Sequence, residues 1–204
     1  MTFSASWRLV VVGLSLLSNS SFTVPSVAAQ LQQRPVQRRV AKIAIDDFVL
    51  IDHSGGRFQF AKLSGKIVVV AFAYTTCPDV CPLLTASMRD VQTSLTPDER
   101  KNVQLITITT DPEIDSPKVL AAYAKRFNAE IDTWSFLTGD EVALKKVWKN
   151  FGVGVKRKAR GLVDHTPLIG IVDQNRVLRF VYIGPLPVAR PMLNDIRSLL
   201  ANRS

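Results

Sequence analysis

The pattern of apolar and polar positions predicts strands alternating with helices along most of the chain. Continuous runs of β-branched and aromatic residues are typical of buried strands, and apolar residues spaced three or four apart are typical of helices. The predicted strands span residues 67–74, 103–109, 134–138, 168–172 and 177–182. Helical spacing begins at Cys81, Ser116, Asp140 and about Val188. Before them, residues 48–60 alternate around a glycine-containing turn and predict a short β-hairpin.

This order of elements narrows the fold class. The order runs from a β-hairpin through alternating strands and helices to a second hairpin and a final helix. It fits an α/β fold whose mixed central sheet is covered by helices on both faces. The first central strand, 67–74, ends just before the two cysteines of the chain, Cys77 and Cys81. Paired cysteines at that junction make the predicted fold thioredoxin-like, with an N-terminal β-hairpin.

The two cysteines lie at or just inside the predicted N-terminus of the following helix. Free backbone N–H groups and the helix dipole favour an anion there, so they lower the pKa of a cysteine. Three residues separate Cys77 from Cys81, whereas redox dithiols of the thioredoxin kind usually have two between them. On a helical turn, this spacing places both side chains on one face, which suits two thiolates that share a metal ion. A disulfide is still reachable with local distortion.

His165 is the candidate for a third ligand. It lies in the segment 164–167, which in a thioredoxin-like sheet enters a strand opposite the cysteine helix. Two sulfurs and an imidazole form a soft set of three ligands that suits copper better than calcium or magnesium, while structural zinc normally takes four ligands. The other histidine, His53, lies in the predicted hairpin turn and is expected to be a plain turn residue.

Four aspartates have expected roles near these residues. Asp79 could shape the cysteine loop by accepting hydrogen bonds from backbone N–H groups, and Asp164 could orient the ring of His165. For Asp79 and Asp164, a plain solvated carboxylate is an equally good interpretation. Asp111 and Asp115 flank a turn and are expected to be caps.

The N-terminal sequence indicates export. Residues 1–29 contain one arginine, a short apolar run at 9–17 and small residues at 26–29, which together predict a cleaved signal peptide. The apolar run is too short to span a bilayer, although an uncleaved membrane anchor extending to residue 27 is the alternative. Residues 30–42 are polar and basic and predict a flexible tether. Residues 43–204 are then the folded domain, because 47% hydrophobic residues over the chain suffice for one core.

The net charge of +9 bears on the partners of the protein. An exported, periplasmic basic protein is not expected to bind nucleic acid, so the charge suggests acidic protein partners or a membrane surface. A run of cations leads directly into the segment that holds His165. It predicts a docking surface for an acidic partner, with an ordinary solvated face as the alternative. The run consists of Lys145, Lys146, Lys149, Lys156, Arg157, Lys158 and Arg160.

Three segments in this order resemble the Sco/SenC family. The segments are FAYTTCPDVCP at 72–82, TDPEIDSP at 110–117 and VDHT at 163–166. The resemblance implies an exported thioredoxin-like copper protein, a metallochaperone rather than an enzyme, that helps to assemble the binuclear copper centre of cytochrome c oxidase. It implies that Cys77, Cys81 and His165 are the copper ligands. It also implies a copper-receiving oxidase subunit as a partner. Because an exported compartment tends to oxidise thiols, a thiol-reducing protein is expected as a second partner.

Two other functions are compatible with the same residues. In the first, the protein is a thiol–disulfide reductase of exported proteins, and His165 only tunes the thiolate. In the second, the cysteines form an inert structural disulfide, which is the ordinary state of two cysteines in an exported protein. Stoichiometric copper binding that requires both a cysteine and the histidine separates the copper protein from these alternatives.

Overall fold

The computed structural model describes residues 36–158, 161–184 and 188–202. The predicted signal peptide and the first part of the predicted tether, residues 30–35, lie outside this part of the chain. The helices are α1 (Val80–Ser94), α2 (Pro97–Asn102), α3 (Pro117–Arg126), α4 (Glu141–Asn150) and α5 (Ala189–Ala201), with a 3-10 helix at Phe60–Leu63. The strands are β1 (Gln37–Ala44), β2 (Val49–Asp52), β3 (Arg57–Gln59), β4 (Ile67–Ala73), β5 (Val103–Thr109), β6 (Trp134–Thr138), β7 (Val155–Arg157), β8 (Val163–His165), β9 (Leu168–Val172) and β10 (Val177–Ile183).

Eight of these strands form the central sheet, in the order β1-β10-β9-β4-β5-β6-β2-β3. The pairs β4–β5 and β5–β6 are parallel, and the flanking pairs are antiparallel. The sheet is therefore mixed and includes the N-terminal hairpin β2–β3, as the sequence predicted. Every residue of β4 and β5 is buried, which is the composition expected of central strands covered on both faces.

The two faces of the sheet carry two separate cores. Val69 and Ala71 of β4 face one core, which α1, α3 and α5 cover with residues such as Met88 and Ile196. The alternate residues of β4 face the second core, which is covered by α4. Because successive strand residues point to opposite faces, one continuous apolar strand serves both cores. The predicted coverage of both faces by helices is confirmed.

The prediction of a tether over 30–42 is wrong from residue 37 onward, since residues 37–44 form β1 at one edge of the sheet. Nearly all of its side chains are exposed, so its sequence lacks the apolar signal of a central strand. β1 is held by its antiparallel pairing with β10 and by the guanidinium of Arg38, which donates to the carboxylate of Asp195 on α5 at 2.8 and 2.7 Å. The hydroxyl of Tyr182 donates to the same carboxylate, and Arg38 lies over the ring of Phe180 at 4.6 Å.

The basic segment that follows α4 also has more structure than its sequence suggested. Residues 155–157 and 163–165 pair antiparallel as the hairpin β7–β8, and in the described chain this hairpin is a two-stranded sheet separate from the central one. His165 is the last residue of β8, so the hairpin carries the predicted histidine ligand. We call these two paired strands, residues 155–157 and 163–165, the histidine hairpin.

Within the described ranges, none of the helices combines the length and apolar character needed to span a lipid bilayer.

The interactions of β1 lead to a stability prediction. Asp195→Ala should lower the free energy of unfolding by about 2 kcal/mol, because it leaves a guanidinium and a buried hydroxyl without their shared acceptor. Urea unfolding of the reduced, metal-free protein measures this. The control is Arg39→Ala on the same strand, whose guanidinium bonds only the exposed Gln37 and whose loss should cost less than about 0.5 kcal/mol. Equal effects of the two substitutions would show that β1 is not held through Asp195.

Candidate metal centre

The cysteine loop connects the carboxyl end of β4 to the start of α1. The helix begins at Val80, so Cys81 is helical while Cys77 lies in the preceding turn, where its N–H donates to the carbonyl of Tyr74 at 3.3 Å. The expectation that both cysteines lie four apart on one helical face is therefore wrong. The loop still brings the two thiols close enough for each to shift the pKa of the other. Both cysteines are free.

The two thiols share one negative charge, and Cys77 carries it. The pKa of Cys77 is lowered from 9.0 to about 6, first by the hydrogen bond from the Cys81 thiol and then by the N–H groups of Asp79 and Cys81 and the hydroxyl of Tyr74. The pKa of the Cys81 thiol is raised, because it donates to Cys77 and is fully buried. Burial and the neighbouring sulfurs raise the pKa of Tyr74 to about 12, so its hydroxyl stays a donor.

His165 faces the buried cysteine. Its Nε2 lies 3.4 Å from the Sγ of Cys81, and its ring meets the ring of Tyr74 edge-on with centroids 5.9 Å apart. Its Nδ1 lies 3.1 Å from the carbonyl oxygen of Thr166. Since a carbonyl can only accept, Nδ1 carries the proton and Nε2 presents its lone pair toward the sulfur. Burial lowers the pKa of the imidazole, which favours the neutral form that a metal requires.

For the two neighbouring aspartates, the structure agrees with the second of the two interpretations, a plain solvated carboxylate. The carboxylate of Asp79 is exposed and makes no cap hydrogen bond; the backbone N–H of this residue is what acts on Cys77. The carboxylate of Asp164 is 62% exposed and pairs with Lys158 at 2.8 Å, which lowers its pKa. The acceptor for the ring of His165 is the carbonyl of Thr166 instead. In the described chain all peptide bonds are trans, including the bond before Pro167.

His53 has the plain role expected of it. It lies in the turn between β2 and β3, and its Nδ1 accepts from the backbone N–H of Phe136 at 3.4 Å. Because β2 runs antiparallel to β6, this turn points away from the carboxyl ends of the parallel strands, where the cysteine loop lies. His53 therefore does not contribute to the site.

Sequence reasoning missed the importance of Asp111 and Asp115, which are buried rather than exposed caps. The carboxylate of Asp115 accepts from the hydroxyl of Thr75 at 2.5 Å and from that of Thr109 at 2.6 Å, and the N–H of Thr75 also points at it. Burial raises the pKa of both aspartates. The sequence signal that could have revealed them is their position between a buried strand and a helix, at the strand end where a functional loop begins.

The predicted basic run is divided by the structure. Lys145 pairs with Glu141, Lys158 with Asp164, and Arg157 with two acids of the segment after β5. Lys146 and Lys149 line a different cavity, together with Asp46 and Asp47. Arg160 lies outside the described residues. Only Lys156 and Lys158 of the described cations line the two cavities that His165 also lines.

The donor set fits a soft metal ion, but the side chains are not yet arranged around one. Cys77 and His165 line a common open cavity of about 270 Å³, with Cys81 buried beside them. Among the described residues, no group of three Cys, His, Asp or Glu side chains could hold a metal ion as it stands. Two sulfurs and a neutral imidazole nitrogen nevertheless meet the preference of soft metals. Binding therefore requires a rearrangement of these side chains within the cavity.

Comparison with known proteins gives a consistent result. The chain matches the SCO1/SenC family over residues 36–201. It is 27% identical over 176 residues to the SCO2-like protein RT0576 of Rickettsia typhi, covering 82% of this chain and 85% of that protein. Among solved structures it is similar to BsSco, at 26% identity and TM-score 0.70, over 81% of this chain and 98% of that chain. BsSco is a member of the Sco family of cytochrome c oxidase assembly proteins, and a disulfide switch is identified in it. The chain is also similar to copper-bound ScoI of Bradyrhizobium japonicum, at 28% identity and TM-score 0.65, over 76% of this chain and 99% of that chain.

The shared charge of the two thiols predicts how the reduced, metal-free protein reacts with iodoacetamide. Alkylation of Cys77 should rise with pH around a midpoint near 6, the lowered pKa of this thiol, while Cys81 stays unreactive at neutral pH. Folding stabilises the thiolate, so its contribution to the free energy of unfolding is fully present above the ordinary thiol pKa of 9.0. This contribution is lost as the pH falls through the midpoint near 6. Mass spectrometry of the alkylated peptides gives both profiles.

The control for this prediction is Cys81→Ala. It removes the thiol that donates to Cys77, so the midpoint for Cys77 should move up toward the ordinary value. An unchanged midpoint in this variant would show that the Cys81 thiol does not stabilise the thiolate.

Proposed function

The chain belongs to the SCO1/SenC family, and on that premise we propose that it binds one copper ion through Cys77, Cys81 and His165. The observation that carries this proposal is the 3.4 Å approach of the His165 Nε2 to the sulfur of Cys81. The second thiol, Cys77, lines the same cavity as His165. These donors come from sequence positions far apart, and the fold brings them to one place. Thiolate ligands favour soft metal ions, and of the two common oxidation states of copper Cu(I) is the softer, so Cu(I) is the form best suited to the site.

The biological role we propose is delivery of copper to cytochrome c oxidase. Its support is the similarity to BsSco, which belongs to a family of cytochrome c oxidase assembly proteins. The predicted signal peptide adds an exported, periplasmic location, with an N-terminal membrane anchor as the alternative. The copper-receiving oxidase subunit is then the principal partner, and a thiol-reducing protein must keep the two cysteines available.

A thiol–disulfide reductase is the second candidate function, and the lowered pKa of Cys77 favours it. In that reaction the Cys77 thiolate attacks a partner disulfide and forms a mixed disulfide. The sulfur of Cys81 then displaces the partner's second thiol, so that the partner is reduced and the Cys77–Cys81 pair is oxidised. The two functions are compatible with one site, since both require the same reduced cysteines.

Copper titration tests the proposed site. The reduced protein should bind one Cu(I), and Cys77→Ser, Cys81→Ser and His165→Ala should each weaken binding at least about tenfold. The Cys77–Cys81 disulfide should abolish it, because oxidation removes both thiolate ligands. Competition with a chromophoric Cu(I) chelator measures the affinities. Loss of binding in the cysteine variants but not in His165→Ala would exclude the histidine from the site.

The partner surface that we propose consists of Lys156 and Lys158, the described cations beside His165. An acidic target would meet positive charge at the exposed side of the cavity, which raises the rate of encounter more than the affinity for copper. Arg157 lies between them, but its guanidinium pairs with the buried Asp111 and with Glu113, so it does not belong to this surface. Lys158 also pairs with an acid, Asp164, but both of these side chains are more than half exposed, so the ammonium group stays where a partner can reach it.

Charge removal tests this surface. The double variant Lys156→Ser, Lys158→Ser should slow copper transfer to the acidic copper-receiving domain at low salt, and the effect should fade as salt rises. The matched control is Lys62→Ser, Lys66→Ser, which removes the same charge near the opposite end of β4. Stopped-flow transfer rates measure both. Equal slowing in the two variants would assign the effect to net charge rather than to this surface.

A further inference from the structure

The segment of residues 111–115, which we call the acidic turn, lies between β5 and α3 and contacts both halves of the candidate site. It is a tight turn, because the N–H groups of Ile114 and Asp115 donate to the carbonyl of Asp111 at 3.2 and 2.9 Å. Its first and last residues are aspartates, 1% and 0% exposed respectively. Two buried carboxylates in one short turn are costly, so each requires a partner.

The last residue of the acidic turn holds the cysteine loop. The carboxylate of Asp115 accepts from the hydroxyl of Thr75 at 2.5 Å, and the backbone N–H of Thr75 lies 3.2 and 3.3 Å from its two oxygens. Thr75 is two residues before Cys77. This end of the turn is therefore fixed relative to the thiols.

The first residue of the acidic turn faces the histidine hairpin. Asp111 makes no hydrogen bond of normal geometry with the described residues, yet Nη1 of Arg157 lies 3.0 Å from its Oδ1. The same Nη1 lies 2.6 Å from an oxygen of Glu113. The buried charge of Asp111 is thus balanced by an arginine from the hairpin, and the arginine is fixed between two acids of one turn.

The pairing of β7 with β8 connects Arg157 to His165 within the hairpin. Arg157 pairs with Val163, and Val155 pairs with His165, so the arginine and the histidine are at opposite ends of three paired positions. The hairpin is not part of the central sheet within the described chain. The hairpin also packs on the rest of the protein through Val163 of β8 and Val155 of β7, which lie against the group containing Tyr74 and Cys81. The bond from the N–H of Thr166 to the carbonyl of Gly154 only extends the pairing of the two strands. The ion pairs of Arg157 are the directional contacts that join the far end of β7 to the acidic turn.

We propose that the acidic turn sets the separation between the cysteines and the histidine, and that Arg157 is the positioning residue that holds the histidine half through Asp111 and Glu113. Arg157 does not touch the metal. It acts by fixing β7 to a turn that is itself fixed to Thr75, so that His165 is presented to Cys81. This inference rests on the proposed function, because it assumes that His165 is a copper ligand.

A double-mutant cycle with His165 tests the proposal. Arg157→Gln should weaken Cu(I) binding by about tenfold in the otherwise unchanged protein, in the range found when a group that orients a ligand is lost. In the His165→Ala background the same change should weaken binding less than about twofold, since there is no histidine left to position. Equal weakening in both backgrounds would overturn the proposal. If His165→Ala alone leaves the Cu(I) affinity unchanged, His165 is not a ligand and the proposed function is wrong. Because the cycle contains this variant, that outcome is distinguished from a failure of the positioning role.

Two further variants separate positioning from stability. Arg157→Gln leaves the buried carboxylate of Asp111 without its counter-charge, whereas Arg157→Gln with Asp111→Asn removes both charges and should fold more stably. Binding should stay weak in this second variant despite its recovered stability. The control is Arg197→Gln, which breaks another Arg–carboxylate pair, with Glu99, on elements outside the site. It should leave Cu(I) affinity unchanged.

A measurement without metal completes the test. The ring of His165 meets the ring of Tyr74 edge-on, so its proton resonances are shifted by the aromatic ring. In the reduced, metal-free protein, NMR should show these resonances moving toward free-histidine values in Arg157→Gln and in the variant with both charges removed, but not in Arg197→Gln. Unchanged His165 resonances in the two Arg157 variants would overturn the positioning role whatever the copper affinity is.

Discussion

The parallel pairing of β4 with β5 is the constraint on which the site depends. The two strands pair in register along their full length, from Ile67 with Val103 to Ala73 with Thr109, and the N–H of Thr110 continues the ladder to the carbonyl of Ala73. Parallel strands end at the same edge of a sheet, so the cysteine loop and the acidic turn must leave the sheet side by side. The contact of Asp115 with Thr75 follows from that register. A slip of one residue would reverse the faces of every side chain in the strand and separate these loops.

The site contains several ionisable groups but stabilises only one charge, the thiolate of Cys77. Backbone N–H groups and the Cys81 thiol stabilise the thiolate of Cys77. Cys81 keeps its proton because it is buried and next to that negative charge. Burial keeps His165 neutral. A metal ion that replaces the Cys81 proton would draw on donors that are already close together and partly desolvated, although the side chains must still rearrange around it. The same arrangement makes Cys77 a competent nucleophile, so copper binding and thiol exchange draw on the same thiolate.

Much of this could be predicted from the sequence where the signal is local. Strands β5, β6 and β9 have the predicted bounds, and Ser116 and Asp140 cap their helices as expected. The edge strand β1 was missed because it is held by its pairing with β10 and by the distant carboxylate of Asp195, and neither leaves an apolar pattern in its own sequence. The helical spacing of the two cysteines was wrong because α1 begins only at Val80.

The finer parts of the site depend on long-range contacts that no local pattern records. The partners of Arg157 are more than forty positions earlier in the chain, so a run of cations looked like a free surface although its members are divided among several acids. The same holds for the acceptor of His165, which is a backbone carbonyl and has no side-chain signature. Residue types predicted the donors of the site, and only the fold shows what orients them.

The most direct test of the central claim is X-ray absorption spectroscopy at the copper edge of the reduced protein loaded with one equivalent of Cu(I). The account predicts two sulfur neighbours and one imidazole nitrogen for each copper ion, with the imidazole contribution lost in His165→Ala. A first shell of sulfur alone, or of nitrogen and oxygen without sulfur, would contradict a site made by Cys77, Cys81 and His165.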